Sequence, residues 1–410
     1  MMDFTKRRWL ILGASCLVNL CIGSLYAWSV FAAPMAAHIQ SVTGGEAPNL
    51  AIIFTIANAV GPITMISGGF FNDKLGPKWV IFLGGALFGT GMVFSGSAQS
   101  VPMLLITYGL GVGLGVGMVY GCTVSNSVKF FPDKRGLVGG ISTASYGISS
   151  VIVPILANAL IDRFDVTTAF KLLGVAMLAI ICGSAFFIAP CPAGFCPKGW
   201  TPPAKAAGKM PARDKNWRLM LSDPVFYVML IMLCCGAFSG LMVTSQASPV
   251  AQEMIGMTAA EAAAAVSVLA LFNTMGRILA GFLSDHFGAV NTIRGVFLVS
   301  IAGLALLYAS GEGSVATFYV GVCGVGLSFG SIMGIYPGFT AGEFGSKNNS
   351  VNYGIMFIGF AAAGCFGPII MSMLYQSVGS YQPAFLAAAA LAVVGVGLTV
   401  LFKRIRAQHG

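Results

Sequence analysis

The chain reads GFFNDKLGPK at residues 69–78 and GFLSDHFGAV at residues 281–290. Both segments follow a long apolar run. Each places an aspartate (Asp73, Asp285) four residues after a glycine and closes on a second glycine three residues later. The echo continues downstream, where YGLGVGLGVGMVYG from Tyr108 is matched by YVGVCGVGLSFG from Tyr319, and Pro154 by Pro368. Self-similarity at corresponding places in two halves marks a duplicated architecture, so the fold expected is two copies of one helical unit.

The surrounding composition says what those units are made of. Hydrophobic residues make up 57% of the chain and charged residues only 9%, a balance too apolar for a water-soluble domain and suited to a polytopic membrane protein. Apolar runs long enough to span a bilayer begin near Trp9, Asn49, Trp79, Val101, Leu137, Ala169, Pro224, Ala259, Ile293, Val315, Val351 and Pro383. The reading is therefore an all-α membrane protein of twelve transmembrane helices in two pseudo-symmetric six-helix bundles, with lipid as its solvent. The stretch CPAGFCPKGWTPPAKAAGKMPARDKNWRLMLS, residues 191–222, breaks the apolar pattern with proline and basic residues and is expected to be a cytoplasmic linker. It separates a first bundle over 1–190 from a second over 223–410.

The formal net charge of +9 would suggest a nucleic-acid partner in a soluble protein. Here the basic residues, with Arg163 and Lys171 as exceptions, fall in alternate connections: Lys6, Arg7 and Arg8; Lys74 and Lys78; Lys129, Lys134 and Arg135; the centre; Arg294; Lys347; and Lys403, Arg404 and Arg406. That alternation is the positive-inside pattern. It places these loops and both termini in the cytoplasm and accounts for the basic charge without nucleic acid. The opening TKRRWLILGASCLVNLCIGSLYA has the charged start and apolar body of a secretory signal, but the run outlasts signal length and is read as an uncleaved first helix. The ten cysteines lie mostly within spans, where cysteine packs as a small apolar group. Only Cys191 and Cys196 share a loop, with too few neighbouring ligands for zinc, so neither a metal nor a cofactor is expected.

Against this background one side chain stands out. Arg277, in VLALFNTMGRILAGFLSD at 268–285, is the one full charge well inside an apolar segment. A mid-membrane arginine costs about 3 kcal/mol on insertion scales, so it should face a polar cavity or a counter-ion. Because arginine stays protonated, the partner it fits is an anion. Asn273, four residues earlier and hence on the same helix face, would add an amide donor beside the guanidinium fork. Thr258 and Glu261 form a T-x-x-E capping box at the start of that helix, which makes Glu261 a cap rather than a coupling acid. No acid or histidine falls in the core of a span, and no H-E-x-x-H or G-x-S-x-G motif is present, so catalysis is not expected.

The duplicated G-x-x-x-D-x-x-G pattern resembles the loop signature of the major facilitator superfamily. FPDKRGLVGGISTASYGISS at 131–150, with SLYAW at 24–28, FNTMGR at 272–277 and NYG at 352–354, resembles more narrowly the monocarboxylate transporters and the bacterial oxalate/formate antiporters. The resemblance implies a secondary organic-anion carrier that works by alternating access, functions as a monomer and sits in the plasma (inner) membrane. It implies gating roles for Asp73 and Asp285, and a binding cavity walled by Tyr120, Tyr146, Phe329 and Phe360, with Tyr26, Asn58 and Met333 as weaker matches. The chain departs from these relatives in three places. Asn273 stands where animal monocarboxylate carriers have an aspartate, their first-helix lysine is missing, and Phe360 aligns with the eleventh-helix lysine of the oxalate carrier. One cation then remains for the substrate, and a dianion would leave a charge unmatched at a cost of several kcal/mol. The expected cargo is a small monocarboxylate such as lactate or pyruvate, carried with a proton. The alternative is exchange of the oxalate/formate type.

Overall fold

The computed structural model describes residues 4–201 and 214–409. Of the expected linker at 191–222, residues 202–213 lie outside the described residues. Among the described residues twelve helices are long and apolar enough to cross a membrane: α1 (Phe4–Thr43), α2 (Ile52–Leu75), α3 (Pro77–Ser95), α4 (Val101–Phe130), α5 (Arg135–Arg163), α6 (Val166–Ala185), α7 (Pro224–Met254), α8 (Ala259–Phe287), α9 (Ala289–Ala309), α10 (Val315–Phe344), α11 (Asn349–Val378) and α12 (Gln382–Gln408). Helices are what an apolar solvent demands, because each satisfies its own backbone N–H and C=O groups within one segment. Four of them depart locally from α geometry, α11 at a turn on Phe357. A 3₁₀ turn at Gly23–Ala27 interrupts α1, and π-helical stretches occur at Leu105–Val112 in α4 and Val250–Met254 in α7.

The helix ends follow from individual side chains. Asp165 starts α6 by accepting from the Thr168 N–H at 2.9 Å, and Asp223 starts α7 ahead of Pro224. Thr258 and Glu261 form the expected capping box on α8, with the Thr258 N–H donating to Glu261 at 2.8 Å. The duplicated motif ends each time on a glycine with positive φ, 85° at Gly76 and 80° at Gly288, which turns the chain directly from α2 into α3 and from α8 into α9. A left-handed backbone at that turn is open to glycine at no steric cost.

Two compact units are formed. The first comprises the described parts of Met1–Phe131, Ser145–Trp200 and Lys347–Gly354. The second comprises those of Pro132–Ala144, Thr201–Ser346 and Ile355–Gly410. Thus the beginning of α5 packs within the second unit and the beginning of α11 within the first. In the second unit the described end of the linker is tied down by the Lys215 N–H, which donates to the Phe344 carbonyl at 2.8 Å, and by the Lys215–Asp223 ion pair.

The glycine-rich runs pack helix against helix. In the first unit, a β-carbon on Gly117 of α4 would lie 2.0 Å from the Gly61 carbonyl of α2. In the second unit, one on Gly330 of α10 would lie 1.8 Å from the Asn273 carbonyl of α8, and one on Gly334 would lie 2.2 Å from that of Arg277. Small residues are how membrane helices gain van der Waals contact where no hydrophobic force between helices is available. The α8–α10 seam therefore fixes the backbone that carries Asn273 and Arg277. Gly330→Ala should lower the thermal stability of the detergent-purified protein by several kcal/mol, above the usual 1–3 of overpacking, because backbone rather than a movable side chain is in the way. Gly13→Ala, which meets nothing within 4 Å, should leave it unchanged or slightly raised. Equal melting temperatures for the two variants, followed by size-exclusion after heating, would contradict the seam.

Candidate functional site

Arg277 lies on α8 and is 7% exposed. Its Nε donates to Asn273 Oδ1 at 2.9 Å, and its Nη1 donates to the main-chain carbonyl of Thr143 on α5 at 2.6 Å. Asn273 is one turn nearer the start of α8 and itself 8% exposed, so the guanidinium is drawn back along the helix and away from Asp285. That direction is opposite to snorkelling toward the end of the helix. Among the described residues no carboxylate pairs with Arg277 and no acceptor is recorded for Nη2. Both of its partners are neutral, so the buried guanidinium keeps a positive charge that neither cancels. An anion is the ligand that such a charge binds most strongly.

Asn273 takes a somewhat different part from the one the sequence suggests. Its amide oxygen is occupied by Arg277, so it orients the guanidinium first, and only its Nδ2 is left to serve as a donor. Thr143 was not legible as a site residue. Its contribution is a backbone carbonyl, which has no signature in sequence, although the residue falls inside the ISTASYGISS stretch already singled out.

The aromatic candidates separate by unit. In the second, Phe329 of α10 and Phe360 of α11 are nearly parallel, with centroids 6.3 Å apart and planes at 7°. Phe357, whose residue type alone gives no sign of a role here, stacks on Phe360 at 4.5 Å. Phe329 rests on Gly240 of α7, where any β-carbon would strike the ring. Met333, one turn beyond Phe329 on α10, is buried. In the first unit, Tyr146 of α5 meets Tyr120 of α4 at 4.9 Å and Tyr26 of the α1 3₁₀ turn at 5.7 Å, edge-on. Asn58 of α2 is exposed and returns its amide N–H to the Phe54 carbonyl of its own helix at 2.9 Å, so it joins neither ring cluster.

The two motif aspartates, which the structure places in the last turns of α2 and α8 rather than in loops, each meet the N-terminus of another helix. Asp285 Oδ1 and Oδ2 accept from the N–H groups of Gly136 and Leu137, at 2.7 and 2.8 Å, in the first turn of α5. Asp73 Oδ2 accepts from the Val351 N–H at 3.2 Å in the first turn of α11, while its Oδ1 pairs with Lys129 Nζ at 2.7 Å. In both cases a carboxylate satisfies orphan N–H groups and meets the positive end of a helix dipole. Lys129 was legible only as one more inward-facing charge, but it also donates to the Lys347 carbonyl at 3.1 Å. Close by, Asn72 donates to Ser350 Oγ at 2.5 Å and further secures the start of α11.

Comparison with known proteins bears on the family and the fold. The model of the Major Facilitator Superfamily matches residues 16–368. The oxalate:formate antiporter of Oxalobacter formigenes is 28% identical over 95% of this chain and 90% of its own length. Human monocarboxylate transporter 12 is 24% identical over 97% of this chain and 81% of its own. Among solved structures, the Major Facilitator Superfamily transporter FucP in its outward conformation superposes with a TM-score of 0.73 at 15% identity, covering 97% of this chain and 99% of that one, a likeness of fold. The chain belongs to the Major Facilitator Superfamily, and it is a multi-pass membrane transporter rather than an enzyme.

Proposed function

We propose that this transporter carries small monocarboxylates of the lactate and pyruvate type together with a proton, by alternating access around Arg277. The observation that carries the reading is the charge count at that residue. One guanidinium, held by two neutral acceptors, offers one uncompensated positive charge. One carboxylate neutralises it, whereas a dicarboxylate brings a second negative charge into a low-dielectric cavity where nothing described on α8 balances it.

In this reading Arg277 and the Asn273 amide bind the carboxylate, and Tyr120, Tyr146, Phe329 and Phe360 wall the cavity, with Tyr26, Asn58 and Met333 at its margins. Asp73 and Asp285 act as latches, since each holds the start of a helix through bonds that a rocking motion can break and remake. The halves that move are residues 1–190 and 223–410, joined by the linker at 191–222. The membrane in this reading is the plasma (inner) membrane, and both termini face the cytoplasm, an orientation that the inward bias of lysine and arginine supports. The carrier works as a monomer. The proton travels on the substrate: protonating the bound carboxylate removes the charge that Arg277 holds and allows the neutral acid to leave.

A second reading, exchange of one organic anion for another, is favoured by the relationship to the oxalate:formate antiporter. The two part on coupling. An inward proton gradient imposed on proteoliposomes should drive lactate above its equilibrium level. Uptake indifferent to the gradient but accelerated by internal oxalate or formate would establish exchange instead.

Arg277→Gln should reduce lactate uptake by about 30-fold or more, the loss expected when one partner of a buried charged contact is removed at ~2–5 kcal/mol. Arg277→Lys keeps the charge but not the planar fork and should fall between that variant and the parent. Radiolabelled uptake at matched protein levels checks both. Unimpaired Arg277→Gln would remove this residue from the site.

A further inference from the structure

Arg277 and Asp285 both reach α5, and they do so along one continuous seam. At its far end Asp285 binds the N–H groups of Gly136 and Leu137. One turn back, a β-carbon on Gly281 would lie 2.3 Å from the Gly136 carbonyl. One turn further, a β-carbon on Gly140 would lie 2.2 Å from the Arg277 carbonyl. The seam ends where Arg277 Nη1 donates to the Thr143 carbonyl. All of these residues belong to the second unit, so the start of α5 is fastened to α8 by an ionic pin at one end, the guanidinium at the other, and bare backbone between them.

Resting on the carboxylate-carrier reading above, we infer that Arg277 is a ligand shared between the substrate and α5, so that binding a carboxylate loosens the start of α5 from α8. A guanidinium offers bidentate edges at Nε/Nη2 and at Nη1/Nη2. Asn273 draws on the first edge and Thr143 on the second, so a carboxylate that takes either edge meets an acceptor already in place. Asn273 is on α8 and moves with the arginine. Thr143 is on α5, a different helix. The contact whose loss frees α5 is the one to the neutral carbonyl of Thr143, which a carboxylate on the Nη1/Nη2 edge displaces because a charged acceptor makes hydrogen bonds roughly twice as strong as a neutral one. The arginine is then both the substrate's anchor and one end of the fastening whose other end is Asp285.

Linkage fixes the sign of the test. If the substrate weakens the seam, weakening the seam from its other end must strengthen substrate binding by the same coupling. Asp285→Asn leaves Arg277, Asn273 and the aromatic candidates intact while removing the charge at the α5 N-terminus. L-lactate should bind this variant about three- to tenfold more tightly than the parent, measured by calorimetry on purified protein, whereas a purely structural aspartate would leave the affinity unchanged or reduced. Hydrogen exchange in the parent protein provides a measurement that needs no variant: L-lactate should accelerate exchange of the Gly136 and Leu137 amides. Binding of L-lactate to the parent with unchanged exchange there, and no gain of affinity in a folded Asp285→Asn protein, overturns the inference alone. A parent that does not bind L-lactate at all overturns the carrier reading, and the inference with it.

Discussion

The constraint on which the rest depends is the placement of one permanent positive charge in an apolar helix without a carboxylate beside it. Arginine cannot shed its proton to escape the cost, so the surrounding chain must supply acceptors. Here those acceptors are an amide oxygen one turn away and a main-chain carbonyl on α5, both neutral. They satisfy hydrogen bonds without cancelling charge. A paired arginine would be a structural element, whereas one bonded only to neutral groups remains attractive to an anion.

Holding that arrangement requires a rigid backbone beneath it. The α10 glycines bring its main chain against the carbonyls of Asn273 and Arg277, while Gly140 brings α5 against Arg277 from another direction. Side chains at those positions would push the helices apart and move the guanidinium with them. The same device recurs in the first unit, where α4 glycines press on α2, and the repeated loop motif caps α5 in one case and α11 in the other with an aspartate. Duplication has thus preserved contacts as well as sequence: Asp73 and Asp285 occupy equivalent chemical settings, with Lys129 added only to the first.

Most of the fold was legible because it rests on patterns that sequence displays directly. Apolar run length marks the helices, the Thr258–Glu261 spacing marks a cap, and the two G-x-x-x-D-x-x-G copies mark the repeat. Arg277 and Asn273 were legible together because helical spacing brings residues four apart onto one face. The Thr143 carbonyl was not, since any residue type supplies one and only the approach of α5 to α8 selects it. Phe357 and Lys129 were visible as residue types but ambiguous in role. Phenylalanine is abundant in every span, and a lysine at the end of a helix satisfies the topology rule whether or not it also meets Asp73.

The central claim is that the charge at Arg277 selects for one carboxylate. Competition against radiolabelled L-lactate uptake by pyruvate, oxalate and lactamide tests it most directly, since the three differ chiefly in carrying one, two or no negative charges. The account predicts strong inhibition by pyruvate and little by oxalate or lactamide at equal concentration. Oxalate competing as well as or better than pyruvate would contradict it.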